Sequence, residues 1–286
     1  MPFLPTSLVL RCLPWSLCVG AALLLGGCAA LEPTVLPARV QQALLPTDVL
    51  LLGEQHDAPE HQVLERETVE WLAARGALAA LVMEMAERGR NTEGLAPDAS
   101  ESAVQSALRW SDAAWPWASY GPVAMAAVRA GVPVLGGNLP RKALNAATED
   151  ATLDSRLPPE ARQRLQDAVR EGHCGLLPEK MLPGMVRVQI ARDISLAQTA
   201  AEAHRPGRVV LLVAGNGHVQ RSLGVPLHLP PNLRSKVVVT QAGKALAAIE
   251  KEADWVQSTA PLPPRDACAE LREQWRASPP GLPSAP

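Results

Sequence analysis

Residues 208–218 read RVVLLVAGNGH. The run from Val209 to Ala214 is apolar, rich in β-branched residues and short, which favours a strand over a helix. It does not alternate with polar residues, so both of its faces are expected to be covered. The glycines that follow turn the chain outward and end on a histidine. The same form recurs as DVLLL (48–52), ALAALVMEM (77–85), VPVLGGN (132–138) and KVVVTQAG (236–243).

Helical patterns separate these runs. Val63, Leu64, Trp71 and Leu72 are spaced for one helix face across residues 59–75, and Gly76 stops that helix. Helices are also expected over 98–110, 123–131, 141–149, 159–171 and 184–204. WSDAAWPWASYGP (110–122) reads as irregular because two prolines interrupt it. The alternation predicts an α/β fold, a mostly parallel sheet with helices on both faces. The long connections 86–122 and 139–204 are expected to form a helical cap.

In such sheets ligands bind outside the carboxyl ends of the strands. Glu54 and His56 follow the first run and Glu84 ends the second. Asn138 and Arg141 follow the third, and Asn216 and His218 the fourth. Parallel strands would gather Glu54, His56, Glu84, Arg141 and His218 on one rim. That set suits a divalent metal, acid–base chemistry or an acidic ligand. His61, one turn into the next helix, is a further candidate. Asp57 reads as the N-cap of a capping box completed by Glu60. Gln189 and Asp193 share a helix face and either brace the rim or form a solvated stripe.

The aromatic residues are unevenly placed. Phe3 is the only phenylalanine and Tyr120 the only tyrosine, with Trp110, Trp115 and Trp117 just ahead of it. The rings either complete the core or form a platform for a large planar ligand or a dimer contact. A phenolate can also ligate haem iron. His173 and Cys174 are adjacent, an unpromising arrangement for one zinc ion.

At the N-terminus, Arg11 precedes an apolar run that ends in Leu25-Gly26-Gly27-Cys28. This order reads as a bacterial lipoprotein signal peptide (1–27), with Cys28 as the lipidated residue. Residues 28–46 are Pro-rich and read as a tether. Residues 47–277 then form the domain, and 278–286 a disordered tail. Ala29 after Cys28 favours the outer membrane, facing the periplasm. Cys174 and Cys268 remain for pairing in an oxidising compartment. The net charge of −2 and the lack of a basic run argue against nucleic acid.

Taken in order, LLGEQHDAPEHQ, LVMEM, the Trp–Tyr–Gly–Pro segment, GNLPR, HCGLLPEKMLPGMVRVQIARDISLAQ and VVLLVAGNGHVQRSLGVPLHL resemble the ChaN-like haem-binding bacterial lipoproteins. The resemblance spans about residues 47–230. It implies an α/β fold, lipid anchoring, haem binding and a role in iron acquisition. It makes Tyr120 the axial-ligand candidate, beside Trp117. It also implies haem at a homodimer interface, with His61 and His173 as candidate assisting histidines. The Gly-Glu-x-His and Gly-Asn-Gly-His segments are similar also to erythromycin esterases and TraB/Tiki-type proteins. That wider likeness implies an alternative, a periplasmic metal-dependent hydrolase using Glu54, His56, Glu84, Arg141 and His218. A haem-binding protein, rather than an enzyme, is the leading expectation, and a structural envelope lipoprotein is a third.

Overall fold

A computed structural model describes residues 36–277. The expected signal peptide, Cys28, the first part of the tether and the tail from 278 lie outside the described residues. Six strands form one sheet in the order β3-β2-β4-β1-β5-β6. They are β1 (Val49–Glu54), β2 (Leu78–Glu87), β3 (Val134–Asn138), β4 (Val209–Gly215), β5 (Ser235–Ala242) and β6 (Trp255–Thr259). Every pairing is parallel. The helices are α1 (Ala38–Leu44), α2 (Pro59–Ala74), α3 (Glu101–Leu108), α4 (Trp117–Arg129), α5 (Leu144–Glu149), α6 (Pro159–Gly172), α7 (Leu182–Ala203), α8 (Asn216–Val219), α9 (Ala247–Glu250) and α10 (Ala267–Ala277). Among the described residues no helix is long and apolar enough to cross a membrane.

Successive strand residues point to opposite faces, and both faces are apolar. Leu50 and Leu52 join Leu81, Met83, Leu211 and Val213 in a core closed by α1, α2 and α4. Val49 and Leu51 join Val82, Val210 and Leu212 in a second core, closed by Leu196, Ala197 and Ala200 of α7. A third cluster, with Leu157, Ala161 and Val169 packed on Leu182, Val186 and Ile190, is the expected helical cap. α7 therefore serves two layers. Its first half belongs to the cap and its second half to the sheet, with Arg192 and Asp193 at the junction.

Several local expectations are corrected. The tether is shorter than residues 28–46, because Leu36, Val40 and Leu44 are buried in the first core. WPWASYGP is not irregular; Pro116 is the N-cap of α4 and Pro122 lies within it. Pro116 stands before the helix and removes none of its bonds, whereas Pro122, its sixth residue, gives up one. Asp57 is not the cap of α2. Ala58 takes that place and no side chain caps the helix. Instead the Gln55 N–H donates to His61 Nδ1 at 2.9 Å, tying the loop to the first turn. Strand β6 was not anticipated, and it adds an edge next to β5. Cys174 and Cys268, 94 residues apart, form a disulfide that fastens α10 to the end of α6.

Backbone approach limits the sheet beside the site. A Cβ on Gly136 would lie 2.2 Å from the Glu87 carbonyl oxygen and 2.9 Å from the Ala86 carbonyl carbon. The pairing of β2 with β3 shifts register between Met83 and Glu87 at that place. Gly136→Ala is expected to destabilise the protein by about 1–3 kcal/mol, since main chain rather than a side-chain tip must move. Gly172, with no atom within 4 Å of its Cβ position, is the control. Urea unfolding of Gly136→Ala and Gly172→Ala checks the contrast, and equal stabilities would refute it.

Candidate functional site

The parallel strands deliver their ends to one rim. Glu54 is the last residue of β1 and pairs in register with Gly215, the last of β4. Gly215 must be small, because a Cβ there would meet His56 Nε2 at 2.8 Å. Glu54 is 2% exposed and is saturated with donors. Tyr120 Oη donates to Glu54 Oε1 at 2.8 Å, His56 Nδ1 donates to the same oxygen at 2.7 Å, and Gln62 donates to Oε2. A buried carboxylate needs such partners to remain charged. Glu65 lies on the same side of α2. Burial first, and the charge of Glu54 second, push its carboxyl well above the usual range.

A second chain of contacts crosses the ends of β2 and β4. The Gly215 N–H donates to Glu84 Oε2 at 2.8 Å. His218, on α8, donates from Nδ1 to Asp193 Oδ1 at 2.6 Å, and its Nε2 lies 3.4 Å from Glu84 Oε1. Burial works against the imidazolium, but Glu84 and Asp193 outweigh it and raise His218 to about 10. Burial opposes ionisation of Glu84, yet His218, His56 and the Gly215 N–H hold its carboxyl well below the usual range. Asp193 is pushed up to about 6 by burial. His56 is raised as well; burial opposes its cation, while its bond to Glu54 and the charges of Glu84 and Glu54 favour it.

These carboxylates and imidazoles converge as expected, but as a hydrogen-bonded lattice. Among the described residues no three His, Cys, Asp or Glu side chains are arranged to hold a metal ion. The chemistry of the donors explains why. An imidazolium kept protonated between two carboxylates has no lone pair for a metal, and Glu54 spends its oxygens on three donors. The divalent-metal expectation for Glu54, His56, Glu84 and His218 does not match this arrangement.

Above the lattice lies a two-lobed cleft. The larger lobe, about 360 Å³, has a wall of Leu165, Val169 and Met185 from the cap and is floored by His56, Glu84 and His218. The smaller, about 150 Å³, is lined by Asn138, Arg141, Arg109 and Glu87. Glu84, Trp115 and Arg192 belong to both. Trp115 stands with its ring 4.8 Å from that of His56, edge to face.

The other expected residues are placed as follows. Tyr120 is 1% exposed and lines neither lobe. Burial, then the charge of Glu54, push its phenol far above its ordinary range, so it remains protonated. Trp117, half-buried, packs edge to face on Trp110 against the first core and donates to Glu101 Oε2 at 2.9 Å. His61 is fully buried, accepting from Gln55 and donating to Thr259 Oγ1 at 3.0 Å. None of the three presents an atom to the cleft. Arg141 lies at its rim, exposed, with its backbone N–H bonded to Glu87. His173 does line the larger lobe. Its Nδ1 donates to the Val169 carbonyl at 2.7 Å, which fixes the tautomer and leaves Nε2 with a lone pair. Of the two readings of Asp193, the brace is the one observed. Arg192 was not singled out from the sequence; its signal was an adjacent charged pair, Arg192-Asp193, at the middle of a long helix.

Residues 40–229 match the family model described as haem-binding uptake, Tiki superfamily, ChaN. The fold is similar to that of ChaN of Campylobacter jejuni, in a structure described as cofacial haem binding. The TM-score is 0.62 at 23% identity, covering 76% of this chain and 89% of that one. The type III effector HopBA1 is aligned over 75% of this chain and 88% of its own, with 15% identity and a TM-score of 0.40. No curated protein sequence matches the chain significantly.

Removing His218 would leave Glu84 and Asp193 buried without their cation. His218→Ala is expected to cost about 3–5 kcal/mol. The sign of the pH dependence follows from the shifts. A raised histidine contributes fully below its ordinary value of 6.5 and loses that contribution as pH climbs through about 10. Glu84, held low, contributes above its ordinary 4.5 and loses it as pH falls. The stability gap between wild type and His218→Ala should therefore be widest between those two ordinary values and narrow toward pH 10. A gap that stays constant to pH 10 in urea titrations would contradict the charged-histidine assignment.

Proposed function

Because the chain belongs to the family described as haem-binding uptake, Tiki superfamily, ChaN, we propose that it is a haem-binding lipoprotein of the bacterial cell envelope that serves iron acquisition. The observation that carries this reading is the family match over residues 40–229, which contains every wall of the two-lobed cleft. The neighbour's cofacial haem supports the same ligand. The Leu25-Gly26-Gly27-Cys28 sequence supports lipid attachment at Cys28, and Ala29 supports an outer-membrane position facing the periplasm.

The residues of the cleft fit haem in part as expected and in part differently. An apolar wall of Leu165, Val169 and Met185 suits a porphyrin face, and Trp115 supplies a flat edge. Bound haem would bring an iron that needs an axial ligand and two carboxylates that need donors. His173 is the residue suited to the iron, since its Nε2 lone pair is fixed by the Nδ1 bond to Val169. Tyr120 is unsuited in this geometry, because its hydroxyl is committed to Glu54 and charge nearby opposes a phenolate. The lattice of Glu54, His56, Glu84 and His218 then acts as a fixed polar floor rather than as a reacting group. A second copy of the chain facing this cleft would account for dimeric binding.

Titration of the detergent-solubilised full chain with haemin tests the reading. A saturable Soret shift is expected. His173→Ala should change the band and weaken binding on the order of tenfold or more, whereas Tyr120→Phe should leave the spectrum unaltered. No shift with wild type would overturn haem binding. A spectrum sensitive to Tyr120→Phe and indifferent to His173→Ala would return the iron to Tyr120. Lipid attachment is checked separately: radiolabelled fatty acid should be incorporated by the wild type and not by Cys28→Ser.

A further inference from the structure

Several arginines of the domain have visible counter-charges. Arg187 pairs with Asp154, Arg88 with Glu202, Arg170 with Glu179 and Asp167, and Arg234 with Asp48. These side chains are between about one-fifth and two-thirds exposed, where water would tolerate them unpaired. Arg192 is 7% exposed, yet among the described residues it makes no hydrogen bond or ion pair. Its Nε is fully buried without an acceptor. The carboxylates around it are already spent. Glu84 is engaged by Gly215 and His218, and Asp193 by His218. An isolated buried charge is costly, so buried guanidinium groups are normally matched by an anion.

A second unsatisfied atom lies in the same lobe. Asn138 Oδ1 is buried and has no partner, and Asn138 lines the smaller lobe with Arg192. An amide can turn to present either oxygen or NH₂. The lobe thus offers a fork of guanidinium donors and an adjustable amide, with Arg141 and Arg109 also on its wall. Across Trp115 the larger lobe is walled by aliphatic side chains.

We infer that Arg192 receives the acid group of a ligand, a carboxylate that enters the smaller lobe beside Asn138 while an apolar body fills the larger lobe. Guanidinium and carboxylate match as paired donors and acceptors, which gives direction as well as attraction. Two sources present this chemistry, a haem propionate and a small organic acid with an aliphatic chain. The inference shares with the haem reading that this cleft binds a ligand, but it does not require that the ligand be haem.

Two arms separate these cases, both on the detergent-solubilised full chain. The first compares haemin with haemin dimethyl ester, whose acids are blocked, against wild type, Arg192→Gln and Arg192→Lys. The wild type should prefer the free acid by about tenfold or more, as expected for a charge-assisted pair. That preference should vanish in Arg192→Gln and survive in part in Arg192→Lys. The second arm measures binding of medium-chain monocarboxylates by calorimetry, without haem, and expects any binding to be lost in Arg192→Gln. Arg192-dependent acid binding in either arm supports the inference and names the source. If no haemin binds but a fatty acid binds through Arg192, the haem reading fails and this one stands. If haemin and its ester bind wild type equally and no small acid binds, the inference is overturned while haem binding stands. The ester comparison uses wild type alone, so it decides even if Arg192→Gln does not fold.

Discussion

A buried carboxylate on a parallel strand must find partners that the ladder itself does not provide. Glu84 is in that position. It lies within β2, which runs on to Glu87, and it is 3% exposed, so it cannot turn out to water. The Gly215 amide, one strand over, meets one oxygen, and the imidazole of His218 faces the other. This requirement fixes much of what surrounds it. It demands that β4 end beside Glu84, that α8 turn at once so that His218 points back, and that α7 supply Asp193 to the far side of the ring. The mid-point of α7 is held against the sheet for the same reason, with Ser195 donating to the Gly137 carbonyl at 2.8 Å.

Once α7 is so placed, the cleft follows. Its first half leaves the sheet and carries the cap, so a gap opens where the two layers part. Polar groups floor that gap and aliphatic groups wall it. Glu54 repeats the logic on β1, using Tyr120, His56 and Gln62 as its donors. The two acidic centres are linked through His56, which bonds Glu54 and feels the charge of Glu84. Each member of the floor satisfies another, and the atoms left over, on Arg192, Asn138 and His173, belong to residues that line the cleft.

The fold was legible where physics acts locally. Buried parallel strands leave uninterrupted apolar runs, and those runs located β1 to β5. β6 escaped because WVQST is short, lies at an edge and mixes polar with apolar residues. α1 escaped because Pro-rich flanks hid a helix whose face is defined only by contact with the sheet. The rim was legible as well, since the chain leaves each strand end on a polar residue. The roles were less so. Tyr120 stands out in composition, but its meaning depends on burial against Glu54, sixty-six positions away. Arg192 gave only a weak signal, for the opposite reason. An arginine in a helix looks solvated until the cap and the sheet close on both sides of it.

The disulfide has a topological meaning for this cleft. It closes a loop that begins at the residue after His173 and ends at Cys268 on the last helix. Within that loop lie α7 and the strands β4, β5 and β6. The C-terminal helix is thereby part of the frame that holds the wall of the larger lobe, although it lines neither lobe. Shortening the chain ahead of Cys268 would be felt at His173 from the opposite end of the sequence. In a reducing compartment the same tie would be missing even from the intact chain. The frame of the cleft is thus completed by an event after synthesis, and the wall of its larger lobe carries a dependence on where the chain resides.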